Sequence, residues 1–508
     1  MGQDVVAETA AVGQPAPGFR VSLAGRTFDL ADLAMAVFVL GWLTYIMAST
    51  RDAKLIASDD AFISFQYARN LARGYGLVFN PGERVWGFTS PLQTLVLGIL
   101  TACGLETVRT AFFTAFLWVA LGSVLLYRLS LQFLPRTAAL LVAVFFLLDR
   151  TQHGSYTLES TLLIASQLTF LLAATTNKGA LANVFGALSC LARPDSLLLV
   201  APILLMGRET RRLRNLAWFV GIGLLWEGFA LLYYRELVPN SYHAKIGLTR
   251  FGPFLKDALK TITGLTFSEQ LGWGREPSAI QRGIVFVLSL LPLINKEIRR
   301  HRAVLYALVV YPFVLVAAYS TIGSFQGHHW EFHSAQFFLR VSATVGLLCL
   351  GMEVAAKVRL PVAVRRGVAI AVFAFVLVNG VFQTQALART LSTENTDYRG
   401  GARYATYRRI ADWANQNIPR GSTIAVSEVG TFAYYSDMHV VDVSGIVTRG
   451  YRADERMNYS SFMLRFAPSY AIVYGNLASA RLSSTLRYDR LAYFPKQGFE
   501  DFTLLAKR

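Results

Sequence analysis

Two adjacent carboxylates, Asp59 and Asp60, follow closely on an apolar stretch ending near residue 49. Acids at a lipid–water boundary are costly unless they are solvated or used. As the first turn of a helix they would sit against free N–H groups and the positive end of the dipole. As catalysts, one of them would take the proton of a hydroxyl as its oxygen attacks. The surrounding loop favours chemistry. Phe62, Phe65 and Tyr67 are interleaved with Ser64, Gln66, Arg69 and Asn70, which reads as an amphipathic helix lying along a membrane surface. Gly74 and Gly76 end it, and Asn80-Pro81-Gly82-Glu83 is a turn before the next apolar segment.

Cations form a second candidate set. Arg193 interrupts an apolar stretch, and Pro194 breaks the helix beside it. An arginine at membrane depth faces a partner or a cavity, so Arg193 either pairs with Asp195 or receives a phosphate through its planar fork. Glu159 at the start of a span is either an ion-pair partner, with Arg150 in reach, or a site residue. His243 and Lys245 follow Asn240, Ser241 and Tyr242 in a predicted external loop. They offer positive charge to a phosphate, while Asn240 and Tyr242 offer hydrogen bonds to sugar hydroxyls. His329 and His333 have i,i+4 spacing but lack an HExxH pattern, so a polar turn is the better reading than a metal pair. Trp330 could stack on sugar there, with Arg340 near phosphate at the start of the following span.

The elements that position these groups must cross a membrane. Of 508 residues 54% are hydrophobic and only 16% charged, which excludes a disordered chain and a disulfide scaffold. The net charge of +17 is not a nucleic-acid signature, because it gathers in clusters at the ends of apolar segments. The first thirty residues lack a basic region running into an apolar one, so the first apolar segment is expected to remain as an anchor. Clear apolar segments run at 30–49, 108–129, 156–175, 216–234, 284–293, 303–321, 338–354 and 368–382. Shorter ones lie at 91–102, 134–148, 181–191 and 197–206. A span needs about 20 apolar residues, which gives about ten spans.

Three basic clusters set the orientation: Arg208 to Arg214, Lys296 to Arg302, and Lys357 to Arg366. Placed inside, they leave the loops 50–90, 235–282 and 322–337 and the chain's tail outside. The segments between Ser90 and Arg208 are even in number, whereas an odd number is required, so one of them does not cross. Segment 134–148 and the broken pair around Arg193 are the expected exceptions. Residues 1–385 thus form a polytopic α-helical membrane domain. Residues 388–401 read as a linker, and 386–508 as an extracytoplasmic α/β domain. Its expected elements are a helix at 404–418, strands at 422–426, 438–443, 469–474 and 502–506, and a turn or short helix at 430–436.

The segments Asp59-Asp60-Ala61-Phe62, Tyr67-Ala68-Arg69-Asn70-Leu71 and Gly76 to Glu83 resemble the first external loop of GT-C membrane glycosyltransferases. Among these the chain most resembles the mycobacterial terminal β-1,2-arabinofuranosyltransferase and its bacterial relatives. The likeness extends to Leu158-Glu159-Ser160, where relatives carry Met-Glu-Thr, to Ala192-Arg193-Pro194-Asp195, to 237–245, and to 425–447 with Tyr434-Tyr435-Ser436 and Val441-Asp442. It implies a GT-C fold in a bacterial inner membrane with the active site on the outer side. A sugar, arabinofuranose by resemblance, would pass with inversion from a polyprenyl-phosphate donor to a cell-envelope glycan acceptor. The resemblance makes Asp59 the base, with Asp60 orienting acceptor or sugar. It favours Arg193, His243 and Lys245 for the donor phosphate and Glu159 for the site. No cofactor is required by these residues, and a divalent cation beside Asp59 is left open. A transporter of a lipid-linked sugar is the alternative. It would use the same cations and need no base, but the halves show no duplication.

Overall fold

A computed structural model describes residues 20–23, 26–148, 156–245, 255, 259, 279–322, 329–359, 361–392, 399–450, 459–475, 486–497 and 500–508. A β-hairpin (β1 Arg20–Leu23, β2 Arg26–Asp29) leads into α1, Leu30–Thr50, whose first turn is capped by the Asp29 carboxylate on the Ala31 amide. The helices that follow are α2 Asp59–Ala72, α3 Pro91–Ala102, α4 Thr107–Ser130, α5 Arg136–Leu147, α6 Ser160–Thr175, α7 Gly179–Ala192, α8 Leu197–Met206, α9 Leu213–Tyr233 and α10 Asn240–Lys245. Beyond them lie the helices Ala279–Leu290, His333–Lys357 and Val362–Ser392, and a helical segment over Arg302–Thr321. Six described helices are long and apolar enough to cross a membrane, and six more are apolar but shorter.

Contacts between side chains define two ends of the bundle. At one end the Tyr127 hydroxyl of α4 donates to Asp32 of α1 at 2.8 Å, Arg136 of α5 pairs with the same Asp32, and Gln132 reaches Thr175 at 2.9 Å. At the other, Arg109 of α4 reaches the carbonyl of Arg51, just past α1. This geometry resolves the parity between 90 and 208 differently from the expectation. Segments α5 and α7–α8 pass between the ends. It is α3 that does not cross. It starts beside Thr157, whose carbonyl accepts from Gln93, and it finishes beside the start of α4, where Thr101 meets Thr107. The Cys103–Glu106 corner, capped by the Glu106 carboxylate on the amides of Val108 and Arg109, turns the chain back at the same end.

The C-terminal domain opens with the Arg399–Asn417 helix and carries one five-stranded sheet in the order β4-β3-β5-β7-β6. Strands β3 (Thr423–Val426), β4 (His439–Asp442) and β5 (Tyr470–Tyr474) are parallel, and β7 (Phe502–Lys507) and β6 (Tyr488–Phe494) add antiparallel. Strand β6 was not expected from sequence. It is an edge strand, and its Asp489, Arg490 and Leu491 are exposed, so it lacks a continuous apolar run. The expected linker is partly helical: the Val362–Ser392 helix continues through its first residues, and the next helix begins at Arg399.

Helix α2 forms where the alternation of aromatic and polar residues placed it, but it does not lie open on a surface. Asp59, Phe62, Phe65, Gln66, Tyr67 and Asn70 are all buried, because α3 and α4 pack below it and the outer domain closes above. Its polar side chains are spent on the following loop. Gln66 donates to the Phe79 carbonyl, Asn70 to the carbonyls of Val78 and Phe79, and Tyr67 to that of Val85. Asn80 then pairs with both backbone groups of Val440 on β4, at 2.9 and 3.1 Å. Replacing Asn80 by Ala strands these buried groups, at a cost of about 1–3 kcal/mol. Thermal unfolding of the Asn80→Ala protein should therefore begin at lower temperature, and an unchanged transition would show that β4 does not depend on this contact.

Candidate active site between the bundle and the outer domain

The two acids have opposite environments. Asp59 is buried, and Asp60 beside it is exposed. The Asp59 carboxylate accepts from the amides of Gly430 (3.1 Å) and Thr431 (2.8 Å), the first residues of the Gly430–Tyr435 helix. Glycine is needed at 430, since a Cβ there would collide with the Asp59 carbonyl oxygen. Burial pushes the Asp59 carboxyl up from its usual range, while the Thr431 and Gly430 donors pull it back. A third acid, Glu428, stands just before that helix. Burial, then the nearby Asp59 charge, raises its carboxyl to about 7, against the opposing pull of Arg403, its partner at 3.1 Å. Sequence reading missed Glu428. Its only local signal is an acid between a buried strand and a glycine.

An aromatic wall backs this junction. Phe62 stacks on Tyr404 at 5.8 Å and tilts against Tyr434 and Tyr435. Arg69 lies over the Tyr434 ring and donates to the Tyr434 carbonyl.

Arg193 belongs to a separate cluster. Pro194 prevents α7 from continuing, so Arg193 is extended, and its guanidinium turns to three partners. It donates to Glu159 at 2.7 Å, to Asp195 at 2.7 and 3.0 Å, and to the Tyr319 hydroxyl at 2.7 Å; Tyr319 in turn donates to Asp195. The ion pair expected between Arg193 and Asp195 is formed. Glu159 joins it, whereas Arg150 lies outside the described residues. Arg340 is buried in the His333–Lys357 helix, seven residues beyond the equally buried His333.

The external-loop residues divide again. Asn240 is half-buried, and its side-chain N–H groups are spent inside the protein. Its side chain donates to the carbonyls of Gly445 and Thr448 at 3.2 and 3.1 Å, and its amide to that of Trp86. It therefore ties α10 to a loop organised by the buried Asp442, which takes the amides of Ser444, Ile446 and Val447. Tyr242 and His243 are exposed on the same short helix. The backbones of Lys245, His329 and Trp330 are described, and their side chains lie outside the described set. Among the described residues no three His, Cys, Asp or Glu side chains gather to hold a metal ion.

The architecture matches solved structures over nearly its full length. ArnT from Cupriavidus metallidurans in the apo state superposes with a TM-score of 0.61 at 14% identity, covering 94% of this chain and 98% of that one. The same protein bound to undecaprenyl phosphate gives 0.60 at 12% identity, with the same coverage. The Archaeoglobus fulgidus oligosaccharyltransferase, in complex with Zn and sulfate, gives 0.52 at 10% identity, covering 92% of this chain and 72% of that one. The chain has the GT-C fold. Residues 395–505, which include most of the C-terminal domain, also match a family model described as a domain of unknown function (DUF8728). No protein of curated function matches the sequence.

Two measurements test the site's electrostatics. Arg193→Gln leaves the buried Glu159 and the half-buried Asp195 without their counter-ion and should cost about 3–5 kcal/mol, read as a lower unfolding temperature. An unchanged melting temperature would mean that the cluster is dispensable. Glu428 binds its proton more tightly folded than unfolded, so the folded state holds the extra proton between pH 4.5 and about 7. Stability contributed by that proton is present below this window and is lost as pH rises through it. Glu428→Gln should flatten that part of the stability profile, and an identical profile in the variant would refute the assignment.

Proposed function

We propose that this protein is a glycosyltransferase that moves a sugar from a polyprenyl-phosphate carrier to a glycan acceptor at the outer face of a bacterial inner membrane. The observation that carries the reading is the acid pair at the junction of bundle and outer domain, in a chain whose fold matches end to end a protein solved with undecaprenyl phosphate. Pentofuranose as the donor sugar rests on the loop resemblance. Residues 1–385 form the membrane part and 386–508 the outer, acceptor-facing part.

Accessibility divides the roles of the pair. Asp60, open to solvent, is the base, and Asp59, held by two backbone amides, fixes the start of α2 so that Asp60 is correctly placed. The acceptor hydroxyl gives its proton to the Asp60 carboxylate as its oxygen attacks the anomeric carbon. The bond from that carbon to the phosphate oxygen breaks, and the lipid phosphate leaves with the electron pair, inverting the centre. Attack passes through a cation-like anomeric carbon, and the leaving group needs nearby positive charge. His243 and Lys245 of α10 supply it. Arg193 acts one step removed, by holding Glu159 and the break between α7 and α8 in place, with Tyr242 binding sugar hydroxyls and Trp330 stacking on sugar.

The test is reconstitution with a panel of polyprenyl-phosphate sugars and glycan acceptors. Asp60→Asn should lower transfer about 10²–10⁴-fold, the scale of a lost general base. Asp59→Asn should lower both turnover and thermal stability, a combination that a pure base would not produce. Full transfer by Asp60→Asn overturns the base assignment. Movement of the lipid-linked sugar across vesicles without transfer to any acceptor overturns the enzyme reading in favour of a transporter.

A further inference from the structure

A cleft of about 250 Å3 lies beside the aromatic wall that backs the Asp59 clamp, between the α1–α2 connector and one face of the Arg399–Asn417 helix. Lys54 and Ile56 form the connector's wall, and Tyr404, Ala405, Arg408 and Asp412 form the helix's wall. Lys54 follows the end of α1 at Thr50 by four residues, so in a chain that crosses the membrane through α1 the cleft opens at the level of lipid headgroups.

Arg408 is built for an anion. Its Nε donates to both oxygens of Asp412 at 3.0 Å, and its guanidinium carbon lies 4.0 Å from the centroid of the Tyr435 ring. One edge and one face of the plane are therefore fixed. The two terminal nitrogens make no hydrogen bond among the described residues, and 41% of the side chain is exposed. A guanidinium held this way has lost its rotamer freedom before any ligand arrives, and its outer fork matches two oxygens of a phosphate. Lys54 adds a second positive charge across the cleft, and Arg409, which donates to Gln497 and the Pro495 carbonyl, adds a third at its edge. Among the described residues Asp412 is the only acid lining it, and its oxygens face the Arg408 Nε.

We propose that this cleft binds the phosphate ester of an anionic lipid headgroup, with Arg408 as the bidentate contact and Lys54 as the second charge. The ligand seats the Arg399–Asn417 helix, and with it the outer domain, on the membrane surface. The proposal does not rest on sugar transfer, because the donor phosphate is assigned to His243 and Lys245 on another element.

The test uses the full chain in nanodiscs and reads binding alone. In phosphatidylcholine discs, phosphatidylglycerol is titrated in one arm, and soluble glycerol phosphate and inorganic phosphate in another, with binding followed by 31P line broadening. Arg408→Gln and Lys54→Gln should each weaken phosphatidylglycerol binding about tenfold or more, the loss of a charge-assisted contact. Arg408→Lys, which keeps the charge and loses the fork, should recover only part of it. Equal binding of soluble phosphates with the same sensitivity would keep the phosphate site and overturn the lipid as its source. Binding that both glutamine variants retain at the wild-type level, or no binding at all, overturns the proposal. Because Lys54 is exposed, its variant is informative even if Arg408→Gln fails to fold.

Discussion

The arrangement depends on one buried carboxylate. Asp59 and the Gly430–Thr431 amides are more than 370 residues apart in sequence, yet they close on one another at hydrogen-bond distance. A buried carboxylate is stable only where donors replace its water, and a helix N-terminus supplies both donors and a favourable dipole. Asn80 and Arg69 add ties from the same stretch to Val440 on β4 and to the Tyr434 carbonyl, and Asn240 joins α10 to the 445–448 loop. Together they fasten the C-terminal domain to the segment after α1 and to α10. Asp60, next to the Asp59 contact, inherits a fixed position without being buried itself.

The bundle obeys the same rule in a drier setting. Where α7 breaks at Pro194, backbone and side-chain polar groups appear at the end of an apolar helix, and they are paired internally through Arg193, Glu159, Asp195 and Tyr319. One arginine shared between two carboxylates holds three helical segments together at a point where regular packing fails. Helix α3 illustrates the complementary constraint. Its polar ends, at Gln93 and Thr101, both find partners at the same end of the bundle, so the segment stays there instead of crossing.

Much of this was legible in residue types. The apolar runs located the spans, and the buried strands β3, β4, β5 and β7 stood out as short apolar runs. Strand β6 did not, because an edge strand with one exposed side carries no such run. The loop 58–92 announced a helix followed by a turn. What it concealed is that Gln66, Tyr67, Asn70 and Asn80 serve as internal fasteners: polar side chains interleaved with aromatics look the same whether they face water or buried carbonyls. Glu428 and Tyr319 were invisible for a related reason. Neither stands in a pattern, and each matters only through partners far away in the chain.

By itself the sequence determined that the chain is a membrane bundle with a C-terminal α/β domain, and that two acids stand where the first span ends. Those features follow from local composition and periodicity, which act over a turn of helix or a few strand residues. Only the tertiary structure decided which of the two acids is buried, that Arg193 is matched by carboxylates, that Asn240 is a tether, and that α3 turns back. These depend on desolvation and on hydrogen bonds between distant segments. A residue's neighbours in sequence do not specify the groups that replace its water once the chain has closed around it.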